Sequence, residues 1–299
     1  MSHLQKNLQG VLTALVTPFF EGKVDYTSLE KLVEYQLNEG IQGLVLLGTT
    51  GENSTLTDEE RKQLLEFLIK QINRRIPVWI GTGSNCTQKA VQMTREAADL
   101  GADGALIVTP YYNRPTQNGL YLHYEAIAQA TNLPICLYSI PTRCGVEIDV
   151  DTVCRLRREY KHIVGIKEAG GSCNRVSQLL KDSDSEFKIL GGDDALALPF
   201  FALGAQGLIS VASNWIVKPL VKMYQAAAQN DLEEASNINR KFYPLFRALT
   251  IETNPVPIKQ FLYQAGIIRS PEVRLPLCPL SDKSLTVVNK VFESLHGDC

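Results

Sequence analysis

The sequence lacks the cysteine and histidine patterns that mark metal sites and disulfide frameworks. Its seven cysteines form an odd set without any C-x-x-C pair, and its four histidines lie far apart in the chain. Zinc sites place Cys or His ligands at short, regular spacings, and disulfide frameworks pair an even number of cysteines. We therefore expect neither a metal site nor disulfides, and the scattered thiols are typical of a cytosolic protein.

The chain also has no excess of charge and no long apolar run. The 30 Lys and Arg residues nearly balance the 32 Asp and Glu residues, so no basic surface is expected to bind nucleic acid or an anionic membrane. No run of about 18 apolar residues predicts a transmembrane helix. The polar start MSHLQKNLQG lacks the basic and apolar regions of a secretory signal. These absences predict a cytoplasmic protein.

Eight short apolar runs recur along the chain, each bounded by Gly, Pro or Asn. They show no alternation with polar residues, as is typical of parallel strands that are covered on both faces. The segments between them have helical patterns: Thr57 to Glu60 form a capping box before an apolar face, and Thr87 starts another helix. The runs occupy residues 10–16, 43–48, 78–83, 105–109, 135–140, 163–167, 187–191 and 207–211.

Eight strand-then-helix units predict an α/β fold, the (β/α)8 TIM barrel, with an open doubly wound sheet as the alternative. The sequence has no G-x-G-x-x-G motif, which disfavours the doubly wound sheet. Strand patterns stop after Val211, and the remaining chain predicts helices, including residues 218–229 and 232–251. We predict a catalytic barrel over residues 1–215 and a C-terminal helical subdomain over residues 216–299.

One lysine stands among the residues that follow the apolar runs, where barrel enzymes carry their active sites. Lys167 closes the apolar run at 163–166. Burial disfavours a charged ammonium group, and a neutral amine can form a Schiff base with a ketone or aldehyde. The alternative is that Lys167 pairs with Glu168 or extends to solvent. Adjacent strand residues point to opposite faces, which weakens that pairing.

Other strand ends carry side chains that suit such chemistry. Tyr138 and Tyr112 would carry protons, and Thr49 and Thr50, in a turn flanked by glycines, offer donors to a carboxylate. Arg143 suits bidentate capture of a second carboxylate. The alternatives are rim tyrosines with hydroxyls in water, simple loop geometry for the threonines, and a solvated loop arginine.

The strand ends carry five motifs in a fixed order, and together these resemble the motifs of one known family. The motifs are GTTGE at 48–52, VTPYYN at 108–113, YxxPxRxG at 138–145, GIKEA at 165–169 and GDD at 192–194. They resemble those of the 4-hydroxy-tetrahydrodipicolinate synthase (dihydrodipicolinate synthase) family, within the N-acetylneuraminate lyase superfamily. The resemblance extends from about Gly10 to Pro276.

The resemblance implies a lyase that needs no metal and no cofactor. It implies a class I aldol-type condensation of pyruvate with L-aspartate 4-semialdehyde to 4-hydroxy-tetrahydrodipicolinate, in diaminopimelate and lysine biosynthesis. Lys167 would form the pyruvate imine. Tyr138, Thr50 and Tyr112 would form a proton relay, with Tyr112 reaching into the site of a neighbouring subunit.

The resemblance also implies how the substrates are held. Thr49 and Thr50 would bind the pyruvate carboxylate, Arg143 would bind the semialdehyde carboxylate, and the carbonyls of Gly192 and Ile209 would line the site. The assembly implied is a homotetramer built from two tight dimers.

Two other functions stay open from the sequence. A pyruvate lyase of the same superfamily, acting on N-acetylneuraminate or 4-hydroxy-2-oxoglutarate, would share Tyr138 and Lys167 but usually lack Arg143. Ser139 stands where the synthases commonly have Asn and some lyases have Ser. A non-catalytic sensor of oxo acids would need neither the amine nucleophile nor the proton relay.

Lys89 stands at a position that bears on feedback inhibition in the family that the sequence resembles. Members of the family that are inhibited by lysine carry a glutamate at this position, and histidines often stand at the positions of Asp58 and Arg61. Lys89 would repel the inhibitor's ammonium group. We therefore predict weak or absent inhibition by lysine.

Overall fold

The computed structural model describes residues 8–295, and its central feature is a set of eight short parallel strands. They are β1 (Gly10–Ala14), β4 (Gly43–Leu46), β5 (Val78–Gly81), β6 (Gly104–Val108), β7 (Ile135–Ser139), β8 (Ile163–Glu168), β9 (Lys188–Gly191) and β10 (Gly207–Ser210). They form a closed barrel in the order β1-β10-β9-β8-β7-β6-β5-β4. Nearly every residue of these strands is buried, which explains why the apolar runs carry no polar alternation.

All eight predicted strands are present, and the predicted (β/α)8 barrel is confirmed. The sequence reading missed a small antiparallel hairpin, formed by β2 (Phe19–Phe20) and β3 (Lys23–Val24). Its strands have two residues each, too few to show a period of two. Glu21 and Gly22 make the turn between them, both with positive φ.

Helices follow the barrel strands and then fill the C-terminal part of the chain, as predicted. The capping box is confirmed, because the Thr57 side chain accepts from the Glu60 N–H and the Glu60 side chain accepts from the Thr57 N–H. Within residues 8–295, no helix combines the length and apolarity needed to cross a membrane. The helices are α1 (Tyr26–Asn38), α2 (Asp58–Ile72), α3 (Thr87–Asp99), α4 (Gln117–Gln129), α5 (Pro141–Cys144), α6 (Val150–Glu159), α7 (Cys173–Asp182), α8 (Ala197–Leu203), α9 (Val217–Ala228), α10 (Leu232–Ala248), α11 (Val256–Gln264) and α12 (Asp282–Leu295).

Contacts divide the chain into two compact units. One runs up to Gly10 and continues over Pro77–Ile209, and it holds the strands from β5 onward and the helices from α3 to α8. The other comprises Val11–Ile76 and the chain from Ser210 onward, with α1, α2 and the four C-terminal helices. The boundary between residues 215 and 216 stays a prediction. The start MSHLQKN and His3, His296 and Cys299, with the predictions that concern them, lie outside the described residues.

Candidate active site

Lys167 and Tyr138 are neighbours at the carboxyl ends of β8 and β7. Tyr138 lies opposite Lys167 in the parallel pairing, so the two side chains project from the same face of the sheet. Nζ of Lys167 lies 4.4 Å from the centroid of the Tyr138 ring, and the two residues are only 6% and 5% exposed. The N–H of Thr109 donates to the carbonyl of Tyr138 at 3.0 Å and fixes the end of β7. The predicted nucleophile and a predicted proton carrier therefore lie together.

Glu168 points to the opposite face of β8 and does not neutralise Lys167. Its Oε2 accepts from Nε of Arg175 on α7 at 2.8 Å, and its Oε1 accepts from the Gly170 N–H at 2.6 Å. Burial raises the pKa of the Glu168 carboxyl, and the Arg175 guanidinium opposes that rise. No carboxylate between residues 8 and 295 forms an ion pair with Lys167, so its pairing with Glu168 is absent.

Gly192 follows β9 and leaves room for the stem of Lys167. Its N–H donates to the carbonyl of Glu168 at 2.8 Å, so its backbone runs beside the end of β8. A Cβ atom here would stand 2.9 Å from Cε of Lys167 and 2.7 Å from Cβ of Ala169, too close for a larger residue. Ile209, the other residue whose carbonyl is predicted to line the site, is buried in β10.

The turn that contains Thr49 and Thr50 follows β4 in the other unit. Two backbone hydrogen bonds close it, from Gly51 N to Gly48 O and from Glu52 N to Thr49 O, each 3.1 Å long. Thr50 is buried, and its Oγ1 accepts from Nδ2 of Asn254 at 3.0 Å. Because that oxygen already accepts, the Thr50 hydroxyl keeps its hydrogen for a different acceptor.

The turn ends at a buried ion pair that sequence reasoning missed. Glu52 is 3% exposed and Lys259 is fully buried, and Nζ of Lys259 donates to Oε1 of Glu52. Burial lowers the pKa of Lys259 to about 8, while the Glu52 carboxylate opposes that lowering. A lone lysine within the apolar segment VPIKQFL was the available signal, but it does not identify a partner 207 residues away.

Tyr112 and Arg143 lie on exposed surface. Tyr112 is 90% exposed, and its φ of +73° is a left-handed conformation that bulky residues rarely adopt. Arg143 belongs to the short helix α5, which is separated from β7 by Ile140 alone. Their roles toward a neighbouring subunit and toward the second substrate stay predictions.

Metal-binding clusters are absent from the part of the chain that the structure describes. No group of three or more His, Cys, Asp or Glu side chains between residues 8 and 295 is arranged to hold a metal ion. The six cysteines in that range are free thiols. The prediction that the protein needs no metal or cofactor stays a prediction.

The sequence matches the model of the dihydrodipicolinate synthetase family over residues 7–295. The 4-hydroxy-tetrahydrodipicolinate synthase of Sulfurihydrogenibium sp. (strain YO3AOP1) is 46% identical over 283 residues, which cover 95% of this chain and 97% of the relative. The synthase of Aquifex aeolicus (strain VF5) is 43% identical over 288 residues, which cover 96% and 98% of the two chains.

Solved structures are similar over the same length. The structure of the 4-hydroxy-tetrahydrodipicolinate synthase from the thermoacidophilic methanotroph Methylacidiphilum fumariolicum SolV has a TM-score of 0.94 at 48% identity and covers 97% of this chain and 98% of its own. Dihydrodipicolinate synthase from Aquifex aeolicus has a TM-score of 0.95 at 42% identity, with the same two coverages.

Proposed function

The chain belongs to the dihydrodipicolinate synthetase family, and we propose that it carries out the family's reaction through an imine between pyruvate and Lys167. It is an enzyme that condenses pyruvate with L-aspartate 4-semialdehyde to 4-hydroxy-tetrahydrodipicolinate, in lysine and diaminopimelate biosynthesis. The two alternatives, a pyruvate lyase and an oxo-acid sensor, are not favoured, because the named relatives are synthases.

The observation that carries the imine proposal is the placement of Lys167. Its amine is buried beside the Tyr138 ring, and the neighbouring carboxylate of Glu168 is bound to Arg175 on the other face of the strand. A primary amine at a buried strand end can attack a ketone and form an imine. The amine attacks the keto carbon of pyruvate, and the keto oxygen leaves as water when the imine forms.

The protonated imine then acts as an electron sink. Loss of a proton from the methyl carbon gives an enamine, which attacks the aldehyde carbon of the semialdehyde and forms the new carbon–carbon bond. The resulting alkoxide takes up a proton. The amino group of the semialdehyde attacks the imine carbon, closes the ring and releases Lys167 as the free amine.

We assign the proton transfers to the hydroxyls of Tyr138, Thr50 and Tyr112. Tyr138 has the strongest support, because its ring contacts Lys167. Thr50 is supported by its hydrogen bond from Asn254, which leaves its hydroxyl hydrogen available. Tyr112 is supported by its exposure and by its left-handed backbone, which suit a side chain that reaches a second copy of the chain.

We assign substrate binding to the turn and to the strand ends. Thr49 and Thr50 take the pyruvate carboxylate, Arg143 takes the semialdehyde carboxylate, and the carbonyls of Gly192 and Ile209 line the site. Arg143 is exposed on α5, which only Ile140 separates from the carboxyl end of β7, the strand that carries Tyr138.

Ser139 is the residue at which the sequence differs from the common synthase pattern, and this difference bears on the second substrate. It is fully buried and lies opposite Glu168 in the strand pairing, on the face of the sheet away from Tyr138 and Lys167. We therefore propose that Ser139 makes no contact with substrate and leaves the preference for the semialdehyde unchanged.

The working assembly that we propose is a cytoplasmic homotetramer made of two tight dimers, which needs no metal or cofactor. The exposed Tyr112 supports a role for a second subunit, and the six free thiols among the described cysteines suit a reducing compartment.

Trapping with borohydride tests the imine. Protein incubated with pyruvate and borohydride should gain one carboxyethyl group, located by mass spectrometry on the peptide that contains Lys167. The peptide with the buried Lys259 is the internal control and should stay unmodified. An enzyme that turns over the semialdehyde while Lys167 is never modified would exclude the mechanism.

A further inference from the structure

A fully buried lysine outside the reacting groups is held by a buried carboxylate. Lys259 lies on α11 with no exposed surface, and its Nζ donates to Oε1 of Glu52 and to the carbonyl of Glu272, the latter at 2.8 Å. Its Nζ also lies 4.2 Å from the centroid of the Phe19 ring. Burying two charges costs solvation energy, and an apolar pair would often serve stability as well. The pair therefore calls for a role beyond stability.

Glu52 ends the turn that contains Thr49 and Thr50. Its backbone is left-handed, with φ of +53°, a conformation that non-glycine residues rarely adopt. Both carboxylate oxygens are occupied, because Oε1 accepts from Lys259 and Oε2 accepts from the backbone N–H of Arg274 at 3.1 Å. The carboxylate thus holds the end of the turn in a conformation that its own backbone disfavours.

The segment that supplies Lys259 touches the turn at a second point. Asn254 lies five residues earlier and donates to the hydroxyl of Thr50 at 3.0 Å. On the side of β1, the Thr17 hydroxyl donates to the carbonyl of Gly51 at 2.8 Å. Gly51 itself is closely packed, because a Cβ atom there would stand 3.1 Å from Cα of Leu47. The turn is therefore held by contacts from two segments of the chain. Loss of one contact would shift the donors of Thr49 and Thr50.

We infer that the buried Glu52–Lys259 pair is a positioning device that fixes the Thr49–Thr50 turn for the carboxylate of pyruvate. This inference rests on the proposed function of that turn. Neither member of the pair touches the reacting atoms. Both act through the turn, by setting where its hydroxyl and N–H donors point.

The test measures the pyruvate concentration that gives half of the maximal borohydride trapping at Lys167. Lys259→Met removes the ammonium group, and we expect this concentration to rise by roughly 10- to 100-fold, as for displaced binding groups. Trapping at saturating pyruvate should match the wild-type yield, because Lys167 and Tyr138 are unchanged. KM for pyruvate should rise in parallel, and kcat should fall by a smaller factor, because Thr50 of the displaced turn also belongs to the proposed proton relay.

A double variant separates positioning from folding. Lys259→Met leaves Glu52 buried without its partner and can reduce stability, whereas Glu52→Gln with Lys259→Met removes both charges. The double variant should recover thermal stability and keep the raised half-trapping concentration. Glu52→Gln alone keeps one acceptor oxygen and should give a smaller rise.

Lys222→Met is the matched control. Lys222 also pairs with a glutamate, Glu234, at 2.5 Å, but its side chain is 66% exposed. This variant should trap pyruvate as the wild type does. A folded double variant with wild-type half-trapping concentration would overturn the inference. Wild-type protein that fails to trap pyruvate at Lys167 would instead refute the proposed function.

Discussion

Two buried lysines in this molecule have opposite surroundings. Lys167 lies beside the ring of Tyr138, and none of the residues from 8 to 295 offers it a carboxylate partner. Lys259 is more deeply buried, yet its ammonium group is bound by the Glu52 carboxylate and by the carbonyl of Glu272. Burial alone therefore does not distinguish Lys167, the proposed nucleophile, from Lys259; the partners of each amine do.

The difference extends to the carboxylates next to each lysine. Glu168 follows Lys167 directly, but the alternation of the strand turns it toward Arg175, which leaves the amine unpaired. Glu52 is distant from Lys259 in sequence and is brought to it by the fold. The strand keeps a charge away from the reactive lysine, while tertiary packing supplies one to the positioning lysine.

The largest effect is expected from removing the reactive amine. Lys167→Met should lower kcat by at least about 10⁴-fold, as the loss of a covalent nucleophile does in other enzymes. Lys259→Met should lower kcat far less, although Lys259 is more buried, because it acts only through the turn that carries Thr50. Steady-state kinetics on both folded variants measures the two effects. A Lys167→Met variant that retains a sizeable part of kcat would contradict the proposed role of Lys167.

A second test places a methyl group beside Lys167 and leaves Lys167 itself unchanged. Gly192→Ala places a methyl group 2.9 Å from Cε of Lys167, so we expect roughly a 100-fold loss of kcat from misplacement of the amine. Unchanged kcat in a folded Gly192→Ala variant would contradict the packing argument.

A smaller effect is the dependence of the KM for pyruvate on pH, which we expect Lys259 to cause. Burial lowers the pKa of Lys259 to about 8, Arg274 adds to the lowering, and Glu52 and Glu272 oppose it. Above this pH the pair with Glu52 is lost, so the KM for pyruvate should rise about fivefold between pH 8 and pH 9.

Loss of folding would not explain that rise. An unfolded lysine keeps its proton to a pH of about 10.4, so the unfolded chain binds more protons than the folded chain above the pKa of Lys259. Stability contributed by this group therefore increases as pH rises. Lys259→Met serves as the control, because the alkaline rise in KM should be missing from it. A rise that persists in this variant would assign it to another group.

The smallest effect concerns a third lysine, Lys89, which is exposed. We expect L-lysine at millimolar concentration to leave the rate almost unchanged, because the positive charge repels the ammonium group of the inhibitor. Lys89→Glu should increase any inhibition. Half-inhibition of the native chain by sub-millimolar lysine would contradict this prediction.

Much of the fold was predictable from local pattern. Strands that are covered on both faces must be apolar throughout, so the runs at 135–140 and 163–167 marked β7 and β8 to within one residue. The position of Lys167 at the end of such a run was enough to single it out. The hairpin at Phe19–Phe20 was not predictable in this way, because two residues carry no period.

The site was less predictable wherever its contacts are long-range. The neighbourhood of Tyr138 and Lys167 follows from strand order, since consecutive strand ends lie side by side. The hydrogen bond from Asn254 to Thr50 spans 204 residues, and no local pattern records it. Because lysine is charged, sequence alone predicts that Lys259 lies on the surface; its buried partner is visible only in the fold. The roles proposed for Tyr112 and Arg143 depend on a second subunit and on a bound substrate.

The long separation between Glu52 and Lys259 has a consequence for synthesis on the ribosome. The turn that carries Thr49 and Thr50 is made early, but the lysine that fixes it is added 207 residues after Glu52. Tyr138 and Lys167 are also made before Lys259. Under the proposed mechanism, a nascent chain therefore contains its nucleophilic amine before the turn proposed to bind the substrate carboxylate is fixed, and we expect full binding of pyruvate only after α11 has been added.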